Sequence, residues 1–228
     1  MRMCCVAGAS AALVLACSAH GAFVYTSTPG FGDADFLALT QGGSLERAVA
    51  ESRIGNGATN GTWETAIWEL GGQGAPKDQG QLNQQNGLTV PFSLSWDGVS
   101  TVTFSVGPET VSWNQVGGPF TDLFFRLRAG TGTQVEILNL SINGDAYAGS
   151  LFANQNQTLE YLRVQDMGGG NIPAFQMTGS QRLVWPIGNR PNNSALAYQI
   201  KMTNVIPTPG TMAIASLALA AGVRRRRG

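Results

Sequence analysis

The chain has 228 residues, with fourteen Lys and Arg balanced by fourteen Asp and Glu, one His and three Cys. All the acids lie between Asp33 and Asp166, while five arginines sit at the two ends, so the central segment is acidic without a basic run, which argues against nucleic acid and anionic lipid as partners. Cys4, Cys5, Cys17 and His20 all precede Gly21, which leaves the remainder without disulfides, Cys–His or Ser–His–Asp machinery, or a Cys/His zinc site.

The N-terminal segment has the form of an export signal. Arg2 precedes the apolar run Val6–Ala16, and either Ala19-His-Gly21 or His20-Gly-Ala22 meets the small-residue rule for signal peptidase. Residues 1–22 are therefore expected to be a signal peptide. Val14-Leu-Ala-Cys17 has the outline of a lipobox that would lipidate Cys17, but Leu15 fits it poorly, and ordinary cleavage is the preferred reading.

Residues 23–206 have the size of one domain. Their apolar pattern is mostly period two, the mark of half-buried strands. Ser44–Ser52 fits a helix or a strand. Glu64–Leu70 reads as a strand, and Gly71–Gly87, polar and rich in Gln and Gly, as a long surface loop. Leu88–Trp96 alternates through Val90, Phe92 and Leu94. After Asp97-Gly98, Val99–Val106 alternates again, which predicts a hairpin. Pro91 inside the first run predicts an edge strand or a bulge. Further strands are expected at Thr110–Trp113, Asp122–Arg128, Gln134–Ile142, Leu159–Gln165, Arg182–Trp185 and Leu196–Val205, with a turn at Asn143-Gly144-Asp145. Many short strands punctuated by Gly, Pro and Asn predict an all-β sandwich or jelly roll.

The C-terminal segment combines Pro207-Thr208-Pro209-Gly210-Thr211, the apolar run Met212–Val223 and the cluster Arg224, Arg225, Arg226 and Arg227. The run is short of the ~20 residues of a spanning helix. Arginine stays on the cytoplasmic side, so Arg2 and Arg224–Arg227 agree in placing the domain between them outside. Residues 207–228 resemble a PEP-CTERM sorting signal, in a variant with Thr208 where that family usually has Glu. The resemblance implies recognition by an exosortase, cleavage near the motif, and delivery to the cell surface or an extracellular polysaccharide matrix, with the membrane touched only in passage. A plain C-terminal anchor is the other reading. Ala50–Asn56 together with Trp63-Glu64 and Trp68-Glu69 resembles the exported β domains grouped as choice-of-anchor domains, which implies an address and no chemistry.

Within the domain, Trp63, Trp68, Trp96, Trp113 and Trp185 are candidates for stacking on sugar rings. Trp68 and Trp96 share the phase of apolar neighbours and read as core, so Trp113 and Trp185 near turns are the better glycan platforms. A glycosidase needs two carboxylates facing across a cleft. Glu64 and Glu69 point to opposite faces of one strand, and Glu51, Asp97 and Asp122 would have to join one of them across the fold. Asp33-Ala-Asp35 and Asn143-Gly-Asp145 carry alternating oxygen ligands that calcium accepts, although Asx residues in turns are the commoner explanation. Arg126 and Arg128 share a strand face and suit an acidic glycan or a solvated sheet face. The leading expectation is an exported, non-catalytic structural or adhesive β domain without a catalytic residue. A carbohydrate-binding module for matrix polysaccharide comes next, and a glycoside-acting enzyme last.

Overall fold

The computed structural model describes residues 22–41, 45–54, 62–69, 74–191 and 195–205. Among them are one helix and fourteen strands, and the strands form two antiparallel sheets. The sandwich expected from the alternating pattern is what the chain builds.

Sheet A runs in the order β1 (Phe23–Ser27), β12 (Leu159–Asp166), β8 (Asp122–Arg128), β14 (Ala197–Asn204), β2 (Leu45–Arg53), β3 (Thr62–Trp68), β4 (Asp78–Asn83). Sheet B runs β10 (Asp145–Ala146), β9 (Gln134–Ile142), β13 (Phe175–Val184), β5 (Thr89–Trp96), β6 (Val102–Val106), β7 (Glu109–Trp113), with β11 (Leu151–Asn154) also on β9. Alternation sends Leu123, Phe125 and Leu127 of β8 and Tyr198, Ile200 and Met202 of β14 inward against Phe92, Leu94 and Trp96 of β5 and Phe104 of β6. Each such side chain, once fully buried, contributes roughly 1.5–3 kcal/mol.

Side chains stitch the rims of the two sheets together. Asp78 of β4 accepts the Ser112 N–H of β7 at 2.8 Å. At the opposite rim, Asp145 of β10 accepts the Phe23 N–H of β1 at 2.8 Å, and the Tyr25 hydroxyl donates to the Asp145 carbonyl at 2.8 Å.

Helix α1 (Asp33–Gln41) lies on the outer face of sheet A. Its start is held by the reach-back half of a capping box: the Asp35 carboxylate accepts the Gly32 N–H at 2.8 Å. Phe36 packs edge-on against Phe124 at 5.3 Å, which explains why β8 is buried on both faces along Asp122–Phe125. Asp33 accepts two hydrogen bonds from Arg126, both at 2.6 Å, and one from the Tyr161 hydroxyl at 2.7 Å. The Arg126 guanidinium holds the Asp33 carboxyl down at about 2. A carboxyl depressed from the ordinary ~3.9 stabilises the fold above that value and stops doing so as pH falls through its folded pKa. With 56% of the Asp33 side chain exposed, solvent screens much of this. Urea midpoints followed from about pH 4 to 2 are therefore expected to fall slightly more steeply for the wild type than for Asp33→Asn.

Several expectations are corrected. The polar stretch 78–83, inside the expected loop Gly71–Gly87, is edge strand β4, in which only Leu82 is buried. The ambiguous stretch around 45–53 is strand β2. β13 starts at Phe175 rather than Arg182, because its outward positions are polar and Gly179 interrupts the apolar alternation. β5 is a central strand despite Pro91. The Pro91 carbonyl accepts the Gly107 N–H at 2.9 Å, so its proton-less nitrogen faces the point where β6 has already ended. The β5–β6 hairpin forms, but with a longer connection than a two-residue turn. The Asp97 carboxylate organises it by accepting the N–H groups of Val99, Ser100 and Thr101, which hold that carboxyl well below the usual range.

Candidate functional site

A concavity on the edge of sheet B arises where β9 is bulged. In the β9–β13 pairing, Thr178 faces Ser141 and Ser180 faces Leu138, so Gly179 stands opposite two residues, Asn139 and Leu140. Asn139 takes the left-handed conformation, φ 52°, that such a bulge requires. Gly179 is demanded by packing: a Cβ there would lie 2.7 Å from the Phe92 ring.

On its other edge β9 pairs with β10 at Ser141–Ile142 and with β11 at Gln134–Ile137. The chain between β10 and β11 lifts away from Leu138 and Asn139, after a last bond from the Tyr147 N–H to the Leu140 carbonyl at 2.9 Å. The resulting cleft has a volume of about 280 Å³. Tyr147 and Phe152 supply its aromatic walls, and Glu136, Asn139 and Ser150 its polar ones. Phe152 is 37% exposed. The Tyr147 ring lies against Gly149, where a Cβ would come within 2.3 Å of its hydroxyl, and Tyr25 backs it at 5.2 Å. Burial pushes the Tyr147 hydroxyl and the nearby Glu160 carboxyl up. Glu136 is held by Arg182 at 3.1 Å and by the Gln134 amide, so it is a fixed acceptor. Aromatic walls with convergent amide, hydroxyl and carboxylate groups suit a neutral polyol with an apolar face. The volume is just under the ~300–1,000 Å³ of drug-sized pockets, enough for one ring of a longer chain.

The glycan platforms expected from sequence lie elsewhere. Trp113 on β7 is half-buried against the core, with Lys77 5.3 Å from its ring centroid. Trp185 follows β13, half-buried, with its backbone N–H and carbonyl both bonded by the Asn86 side chain. Trp96 is core as expected. Trp68 is buried in a small cluster with Val49 and Ala66. The Trp63 side chain lies outside the described residues.

The structure does bring two candidate carboxylates together. On sheet A, Arg53 donates to Glu64 at 2.9 Å and lies 3.5 Å from Glu51, which also accepts from Gln199 at 2.9 Å. Burial raises the Glu51 carboxyl; Arg53 and Gln199 oppose this, and Glu64 adds to it. A shared arginine between the two makes this an ion-pair cluster, set apart from the Tyr147 cleft. Glu69 pairs instead with Lys77 at 2.5 Å, Asp122 with Arg163 at 2.6 Å, and Asp97 caps its own loop.

The calcium candidates do not converge. Asp33 is taken by Arg126 and Tyr161, Asp35 by the helix cap, Asn143 by the Gln176 N–H at 2.8 Å, and Asp145 by Phe23. Among the described residues no three His, Cys, Asp or Glu side chains are grouped to hold a metal ion. Arg126 lies under α1 rather than on a solvated face, while Arg128 is exposed. The sorting residues Pro207–Thr211 and Arg224–Arg227, and the signal segment with Cys17, lie outside the described residues.

Sequence reasoning missed Tyr147, Phe152, Asn139 and Ser150. The one signal for them was an aromatic residue inside the turn-rich stretch 143–150. No family model matches the chain, and no curated protein matches it.

Proposed function

We propose that this is an exported cell-surface or extracellular-matrix protein whose sandwich is a non-catalytic adhesive module, contacting matrix polysaccharide at the edge cleft of sheet B. Export and sorting are supported by the agreement of the two arginine-flanked apolar ends on one topology and by the resemblance of residues 207–228 to an exosortase signal. Signal peptidase and an exosortase are then the partners in transit. The observation that carries the adhesive role is the cleft itself, where Tyr147 and Phe152 face Asn139, Ser150 and Glu136 around the opened edge of β9. A non-catalytic reading is favoured over a glycosidase because Glu51 and Glu64 share Arg53 rather than flank an open cleft.

Intact-mass measurement of the protein recovered from its host surface tests the sorting half. The expected mass lacks both the N-terminal signal and Arg224–Arg227. A surface protein that retains Arg224–Arg227 contradicts it.

A further inference from the structure

We propose that export processing cuts the bond between Ala22 and Phe23, and that the new α-ammonium of Phe23 pairs with the Asp145 carboxylate. This rests on the reading of residues 1–22 as an export signal. It adds a receptor for the mature amino terminus, built into the turn that carries a wall of the cleft.

Three observations point there. First, the Phe23 nitrogen is 2.8 Å from Asp145 Oδ2, although the two residues are distant in sequence. Second, no Lys or Arg among the described residues forms an ion pair with Asp145, so this half-buried carboxylate is answered by a neutral amide where an ammonium would bind it more strongly. Third, the position is fixed. The Phe23 side chain is 7% exposed within the main core, and its backbone is registered opposite Asp166 on β12. Tyr25, two residues on, donates to the Asp145 carbonyl and packs on Tyr147.

The chemistry is amide hydrolysis by the export peptidase, with one water consumed. The water hydroxyl stays on the Ala22 carbonyl, and its proton goes to the Phe23 nitrogen. The acid so formed gives up its proton, leaving a carboxylate on the departing signal and an ammonium on Phe23. The cut also removes the Ala22 carbonyl that accepts the Met167 N–H at 2.8 Å. Met167 is 70% exposed, so water replaces that bond.

The titratable groups facing this position are Asp145 on β10, Asp166 on β12, Tyr25 on β1 and Tyr147 after β10. Tyr25 is pushed up to about 12, first by burial and then by Asp145, so it stays protonated while an α-amine titrates. Pairing raises the amine above its ordinary ~8. The stabilisation is therefore complete below about pH 8 and lost as pH rises through the higher folded value.

The test uses the full chain exported by its host. N-terminal sequencing is expected to read Phe23 first. A start at Ala22 overturns the assigned cut while leaving export intact, and a start at Met1 removes the export reading as well. On protein that starts at Phe23, acylation of the α-amine at pH 7 is followed by mass spectrometry, with an added short peptide bearing a free α-amine as the reference. The α-amine is expected to react about ten-fold more slowly in the folded wild type than in urea, which corresponds to one pH unit of raised basicity. In folded Asp145→Asn the difference is expected to shrink to less than about three-fold. Equal rates in folded and unfolded wild type overturn the pairing even if Asp145→Asn fails to fold.

Discussion

Lys201→Met is expected to be the most damaging single substitution outside the hydrophobic core, costing about 3–5 kcal/mol. Lys201 Nζ donates to Glu46 at 2.8 Å, with side chains only 8% and 9% exposed, and sits 4.6 Å from the Phe36 ring centroid. Glu46 reaches this position because of a bulge. Thr203 pairs with Glu46 while Met202 pairs with Ala48, so Arg47 is an extra residue that returns Glu46 to the outer face of sheet A. Removing the ammonium leaves a buried carboxylate without its counter-charge and takes away the cation under α1. The double variant Glu46→Gln/Lys201→Met is expected to recover most of the loss, since the penalty lies in the orphaned charge. Urea unfolding of the two variants checks this. A single variant as stable as the wild type would mean that water already reaches the pair.

Tyr147→Ala is expected to weaken saccharide binding at least about ten-fold, or ~1.4 kcal/mol, because the ring supplies the apolar face on which a sugar stacks. The fold should tolerate the change within about 1 kcal/mol, since Tyr147 lies at a rim and is only half-buried. Gly149→Ala tests the same geometry without deleting the ring. Its φ is not in the left-handed region, yet its Cβ would stand 2.3 Å from the Tyr147 hydroxyl, so the ring must swing out of the cleft. Both variants should lose binding with little change in unfolding temperature, as read by calorimetry and circular dichroism. Unchanged binding by Gly149→Ala would remove Tyr147 from the contact surface.

The β class and most long strands were legible because their burial follows period two. Val90, Phe92, Leu94 and Trp96 of β5 and Val135 and Ile137 of β9 alternate as a half-buried strand must. Elements that bury little were not legible. β4 buries Leu82 alone, α1 buries Phe36 alone, and β10 spans two residues. Such segments are held by partners remote in sequence, as Asp78 is by Ser112 and Asp33 by Arg126. The same limit applied to the site. Tyr147 and Phe152 become walls only through the register of β9 with β10 and β11 and through the bulge at Asn139, and a local pattern carries no register. Carboxylates and tryptophans, by contrast, stand out by residue type alone. The structure then placed Glu51 and Glu64 in one ion-pair cluster and half-buried Trp113 and Trp185 against the core.

The most direct test is equilibrium binding of the exported protein to soluble fragments of its host's matrix polysaccharide by titration calorimetry. Wild type, Tyr147→Ala and Gly149→Ala are compared after each is verified as folded. Saturable binding by the wild type that both substitutions weaken at least about ten-fold is the predicted result. No saturable binding by folded wild type, or binding of undiminished affinity in both variants, would contradict a saccharide contact at the edge of β9.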